Sequence, residues 1–228
     1  MSNAAQLAAL YPFLAHAKQN DGQLDAALLD SIRDKARDGR DASERFFAAE
    51  GPALLAAART LARVYENGGR LYTIGNGGSS CDAAHIAVEF LHPVTAGRPA
   101  LPAISLTADT AMLSAIGNDL GFEHAFVRQL VAHARPGDAV IGVSTSGNSA
   151  NILAGFVKAK EMNVSTIALC GGDGGKMRQS PAVDHCLVVP SNSIHRVQEC
   201  HVAAYHILWD LVHTLLADRR GSAAEAAV

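Results

Sequence analysis

Cysteine is scarce in this chain. The four present, Cys81, Cys170, Cys186 and Cys200, are widely spaced and form no CxxC pair. That pattern gives neither a zinc-finger frame nor a disulfide framework, and reads as the reduced thiols of a cytoplasmic protein. Positive charge is scarce too. Lys and Arg number 19 against 22 Asp and Glu, the net charge is −3, and no basic cluster appears. This argues against nucleic acid as a main ligand. No apolar run reaches the about 20 residues a membrane span needs. The N-terminus has no basic segment before its apolar residues, so no secretory pattern is present. What remains is 49% apolar and 18% charged, the balance of a globular chain. A length of 228 residues suits one domain with an appended helical piece.

The chain is organised around the stretch from Arg70 to Phe90. Leu71-Tyr72-Thr73-Ile74 reads as a strand. Gly75-Asn76-Gly77-Gly78-Ser79-Ser80 follows, with three glycines in four positions that let the backbone approach a ligand closely. Ser79 or Ser80 is placed to cap a helix running from about Asp82 to Phe90. A Gly-rich turn feeding a helix start offers unpaired N–H groups and a positive dipole end to an anion. On that helix His85 and Glu89 stand four apart, so imidazole and carboxylate share one face.

Before this stretch the pattern is helical. Residues 5–17 have apolar positions at helical spacing, interrupted by Pro12, and 18–22 read as a turn. A second helix is expected from Asp25 to Arg37. A third begins near Asp41, with a possible break at Gly51-Pro52, and stops at Gly68. After it, strands alternate with helices. Strands are expected at 71–75, 102–106, 138–144, 164–170 and 184–189. Helices are expected at 80–91, 109–116, 122–134, 148–161 and from Arg196 to Ala217. Near-continuous apolar strands are covered on both faces, which gives an α/β three-layer sandwich with a parallel five-stranded sheet plus N-terminal helices. Ligands of such sheets bind beyond the carboxyl ends of the strands.

A second loop at such an end is Ser144-Thr145-Ser146-Gly147-Asn148-Ser149. Four hydroxyls and a helix start converge there, a combination that suits a phosphate monoester. The plain alternative is an ST-turn with an N-cap, which one or two serines satisfy. The last helix carries Gln198, His201, His206 and His213. Gln198 and His206 lie two turns apart and about 80° around the axis. Spacing alone does not select His206 over the other two histidines.

Together these stretches resemble the phosphoheptose isomerase family of the sugar-isomerase (SIS) group. The resemblance rests on Gly75 to Glu89, Gly117-Asn118-Asp119, Ser144 to Ser149, Gly171 to Met177, and Arg196 to Ile207. It spans about Asp41 to Ala217, in order and with similar spacing. It implies a flavodoxin-like strand order and an SIS domain (41–218) after a helical extension (1–40), and the terminal residues themselves read as a flexible tail (219–228). It also implies interconversion of D-sedoheptulose 7-phosphate and D-glycero-D-manno-heptose 7-phosphate, an early step toward activated heptose for surface glycans such as lipopolysaccharide. The family's members are homotetramers with a zinc site formed between subunits. Carried over, the resemblance implies zinc ligands His85, Glu89, Gln198 and His206. It implies phosphate contacts from Ser144, Thr145, Ser146 and Ser149, and sugar contacts from Asn76, Gly77, Gly78, Asn118, Asp119 and Gln198, with Glu89 as base and His206 as acid. Two positions depart from the family pattern: Pro93, where many relatives carry Arg four residues after the Glu, and His195. The runner-up reading is a non-catalytic SIS protein that binds a sugar phosphate or the replication initiator. Such relatives tend to lose the histidine at position 206, which this chain retains.

Overall fold

The computed structural model describes residues 21–226, so the helix expected at 5–17 and the turn residues 18–20 lie outside it. The chain divides into two compact units, Met1–Arg40 and Asp41–Val228.

Helix α1 runs unbroken from Asp21 to Glu66, where the sequence predicts a turn through residue 22, two helices and a break at Gly51-Pro52. Gly39 sets a penalty of about 1 kcal/mol on a helix, not a stop. Around Pro52, packing outweighs the lost hydrogen bond. Ala42, Phe46, Leu54, Ala57, Ala58 and Leu61 form one buried stripe that continues across the proline, while Pro52 itself is exposed. In the first unit α1 carries the exposed apolar residues Leu24, Leu28, Leu29 and Ile32.

The second unit continues with β1 (Leu71–Gly75), α2 (Gly78–Leu91), β2 (Ala103–Ser105) and α3 (Thr110–Asp119). A 3-10 turn (Phe122–His124), α4 (Val127–His133), β3 (Ala139–Ser144) and α5 (Ala150–Glu161) follow. Then come β4 (Ser165–Gly171), α6 (Gly175–Gln179), β5 (His185–Val189) and α7 (Ile194–Ala226). The single helix expected at 122–134 is thus two pieces, because the 3-10 turn packs separately against α3 and α5. The short α6 went unforeseen. The final helix passes Arg219, where the sequence predicts a flexible tail; Gly221 is a lone interruption among residues of high helix propensity such as alanine.

The five strands form one parallel sheet in the order β2-β1-β3-β4-β5. Alternation along each strand sorts the core into two layers. Leu71, Ile141, Ile167 and Leu187 face helices α1, α2 and α7, whose Leu61, Phe90 and Leu208 join the same cluster. Tyr72, Val140, Ala168 and Val188 face the other way, against Leu130 of α4 and Phe156 of α5. The three-layer α/β sandwich read from the sequence is the observed architecture.

This order has a functional consequence. The chain leaves β1 toward β2 on one side, then returns to β3 on the other. The β1/β3 boundary is therefore the switch point where a crevice opens beyond the strand ends. Gly75 pairs with Val143 there, so the Gly-rich turn and the Ser-rich loop emerge side by side.

Candidate active site

The turn after β1 starts α2 at Gly78, four residues before the expected Asp82. Neither serine caps it. The Ser80 hydroxyl donates to the Gly77 carbonyl at 2.6 Å, and no side chain caps the helix start. The N–H groups of Ser79 and Ser80 go instead to the carbonyls of Asn76 and Gly77, at 3.0 Å each. Asn76 and Asn151 exchange two amide hydrogen bonds of 2.8 Å, tying this turn to the first turn of α5.

The Ser-rich loop is held from its other side. Gly147 takes φ +64°, and a methyl group there would lie 2.1 Å from the Gly174 carbonyl oxygen. Only glycine permits both the dihedral and the approach. The Gly147 carbonyl accepts from the Met177 N–H at 3.0 Å, and Asn148 accepts from Lys176 N–H at 3.1 Å. The 171–177 segment is thus the brace of the loop. Ser144 and Ser149 hydroxyls lie 3.0 Å apart. Ser149 is the N-cap residue of α5 but makes no capping bond, so the ordinary capping role does not consume its hydroxyl. Thr145 and Ser146 line a cleft of about 220 Å³ with Asp173, Ser191 and Asn192.

The third component comes from two helices distant in sequence. His85 Nε2 lies 3.1 Å from Glu89 Oε1 on α2. His206 of α7 brings its ring centroid to 5.1 Å from that of His85. One ligand atom from each of His85, Glu89 and His206 falls within 4.8 Å of the others. All three are half-buried. Two imidazoles and a carboxylate are a donor set that suits zinc. His201 and His213, also on α7, are sorted out by packing. His201 is buried with Nε2 3.0 Å from the Cys170 carbonyl, and His213 contacts the carbonyls of Trp209 and Pro99.

The SIS-domain family model matches residues 36–171. Phosphoheptose isomerase of Chlorobaculum parvum is 45% identical over 166 residues, covering 72% of this chain and 78% of that protein. The Aquifex aeolicus phosphoheptose isomerase is 38% identical over 192 residues, covering 84% and 100%. Among solved structures, the phosphoheptose isomerase of Neisseria gonorrhoeae superposes with a TM-score of 0.76 at 34% identity, covering 82% of this chain and 99% of that one. The chain belongs to the phosphoheptose isomerase family of SIS-domain proteins.

Within this family chain, the remaining residues singled out in the sequence fall in different places. Gln198 reaches the start of α2: a methyl at Gly78 would sit 2.5 Å from its Nε2. Its amide, carried by α7, thus lies over the Gly-rich turn at Gly78, at the start of the helix that carries His85 and Glu89. Gly77 and Gly78 are exposed at the crevice mouth. Asn118 and Asp119 are exposed at the end of α3 and hydrogen-bond each other at 2.7 Å. Pro93 lies just past α2, and His195 is exposed in the first turn of α7. The four cysteines are free thiols.

Three residues escaped the sequence reading. Asn151 is buried against Asn76, Tyr205 places its hydroxyl 2.7 Å from His85 Nδ1, and Trp209 donates its indole N–H to the Glu89 carbonyl at 2.8 Å. Tyr205 is buried, and that burial with Asp82 and Glu89 nearby raises its phenol well above the usual range, keeping it protonated. Asp82, one turn before His85, is buried with one carboxylate oxygen lacking a protein partner, and burial raises its carboxyl. The only sequence signal for Tyr205 was its place beside His206.

Proposed function

We propose that this chain is a zinc-dependent ketose–aldose isomerase that interconverts D-sedoheptulose 7-phosphate and D-glycero-D-manno-heptose 7-phosphate. The observation that carries the reading is the convergence of His85, Glu89 and His206 in a chain whose relatives are phosphoheptose isomerases. Zinc is the proposed ion, with Gln198 as fourth ligand; when bound, it polarises or orients the substrate oxygens.

Isomerisation moves one proton between C1 and C2 through an enediol. Starting from the ketose, Glu89 takes a proton from C1 while His206 donates one to the C2 carbonyl oxygen. The enediol then collapses to the aldehyde: the O1 proton passes to His206, restoring its acid form, and C2 receives a proton from the acid form of Glu89. A carboxylate shared with a cation is a weaker base, so the base role is the more demanding of the two assigned to Glu89.

Ser144, Thr145, Ser146 and Ser149 hold the phosphate, supported by the absence of a capping bond from Ser149 and by the start of α5 behind it. Asn76, Gly77 and Gly78 face the sugar, joined by Asn118, Asp119 and Gln198. An assembly of four copies with shared sites is supported by apolar residues left exposed beside the cluster: Val88 and Leu91 on α2, Val94 beyond it, and Ile207 on α7. A cytoplasmic location accords with the free thiols, and no helix among the described residues is long and apolar enough to cross a membrane. Retention of both histidines with Glu89 weighs against a purely regulatory role.

The test is an assay on sedoheptulose 7-phosphate beside shorter ketose phosphates. Turnover of the seven-carbon sugar is the expected result. Turnover of only a shorter sugar would reassign the substrate, and none at all would favour a binding protein.

A further inference from the structure

Helices α2 and α7 are joined by two rungs. Tyr205 meets the side chain of His85, and Trp209 meets the main chain of Glu89. Both donors stand four apart on α7, and both acceptors stand four apart on α2, so each pair shares one helix face. We propose that Tyr205 and Trp209 are the positioning residues of the site, Tyr205 fixing the orientation of the His85 ring through Nδ1 and Trp209 anchoring the turn that carries Glu89. This rests on the metal-assisted reading above, and its test separates the two.

The argument for Tyr205 is one of hydrogen-bond valence. His85 Nε2 faces the Glu89 carboxylate at 3.1 Å. An ionised carboxylate only accepts, so in the neutral ring Nε2 carries the hydrogen. Nδ1 is then a bare acceptor, and the Tyr205 hydroxyl at 2.7 Å donates to it. If Nε2 instead binds a cation, the hydrogen moves to Nδ1 and the same hydroxyl accepts. A phenol serves both states because it donates and accepts, whereas a carbonyl could serve only one. Side chains that hold the second nitrogen of a metal-binding imidazole set its orientation and affinity.

The argument for Trp209 is one of orphan carbonyls. The last four carbonyls of a helix have no partner within it. At the end of α2, the His92 N–H takes the Val88 carbonyl and the Leu101 N–H takes that of Phe90. The carbonyl of Glu89 lies between them, and Pro93 has no N–H to offer. The indole fills that place. It is itself held by the Arg98 guanidinium 4.5 Å from its centroid, and Arg98 also pairs with Asp210. Rotation of the indole is thereby opposed from the loop that follows α2.

Two readouts test this on the full chain. The first uses no variant of Tyr205. Nitrogen-15 NMR of metal-free protein at about pH 8.5, where an ordinary imidazole is neutral, with His85 assigned by comparison with His85→Gln, should show the Nε2–H tautomer with Nδ1 shifted by an accepted hydrogen bond. An Nδ1 free of any hydrogen bond would overturn the role of Tyr205 whatever the metal does. The second is zinc affinity by competition with a chromogenic chelator. Tyr205→Phe should weaken it about 10–100-fold and remove the hydrogen-bond shift of His85 Nδ1, with metal-free circular dichroism unchanged. Trp209→Phe, which keeps a ring but loses the N–H, should weaken it several-fold. Wild-type affinity and an unchanged Nδ1 shift in Tyr205→Phe would remove Tyr205 from this role, and wild-type affinity in Trp209→Phe would remove Trp209. If Tyr205→Phe does not fold, the wild-type Nδ1 shift alone decides Tyr205. Should wild-type protein take up no zinc, the metal reading fails, while the hydrogen-bonded state of Nδ1 still decides Tyr205.

Discussion

The two halves of the crevice are built in opposite ways. The Ser-rich loop is local: six consecutive residues, one strand end and one helix start, braced by a second loop from the adjacent strand. The His85–Glu89–His206 cluster is long-range: its residues meet only because α2 and α7 dock on the same face of the sheet. A loop of the first kind keeps its shape when one side chain changes. A cluster of the second kind depends on helix packing and on the rungs that hold it. Substitutions in the cluster should therefore damage the chemistry, and those in the loop should damage affinity.

The largest effect is expected from Glu89→Gln, which keeps the shape and removes the base. The turnover number should fall by about 10²–10⁴, with the circular dichroism spectrum unchanged. Normal turnover would take the base role from Glu89. Next is removal of the cation: dialysis against a strong chelator should abolish activity, and zinc should restore it at about one ion per chain. His206→Asn should bind that ion more weakly. Full activity in chelated protein would make the cluster a proton-transfer site without a metal.

The loop should respond differently. Ser146→Ala combined with Ser149→Ala should raise KM for the phosphorylated sugar about tenfold or more, with a smaller change in kcat. An unchanged KM would place the phosphate elsewhere, and a collapse of kcat alone would erase the contrast between the two halves.

The smallest expected effect separates His201 from its neighbour His206. Burial pushes the His201 imidazole down to about 4, against about 6.5 in an unfolded chain. The unfolded state then binds more protons between these values, so this residue's influence favours folding least at low pH. Stability should be full above about pH 6.5 and decline as pH falls toward 4, by up to about 3 kcal/mol. His201→Gln should flatten that part of the melting profile. A profile identical to wild type would mean that other groups set the acid limit.

The same contrast explains what could be read in advance. The strands were legible because buried parallel strands are continuous apolar runs bounded by polar turns. Residues 71–75 and 139–144 fall within one residue of their expected limits. The Ser-rich loop was legible because its hydroxyls are adjacent in sequence. The unbroken α1 was not, because Gly51-Pro52 is a local stop signal overridden by a buried stripe that continues beyond it. Nor were Tyr205, Trp209 and Asn151, whose partners lie 75 to 120 residues away and are set by packing alone. The choice of His206 over His201 and His213 came through the family resemblance. Its physical basis is the rotation of α7 on the sheet, which buries the other two.

The most direct measurement follows sedoheptulose 7-phosphate incubated with the protein in deuterium oxide, with Glu89→Gln and His206→Asn beside it. An enediol formed within this cluster should carry deuterium onto C1 of the ketose and C2 of the aldose in wild type, and far more slowly in both variants. Wild-type exchange that survives both substitutions, or its absence in wild type, would contradict the account.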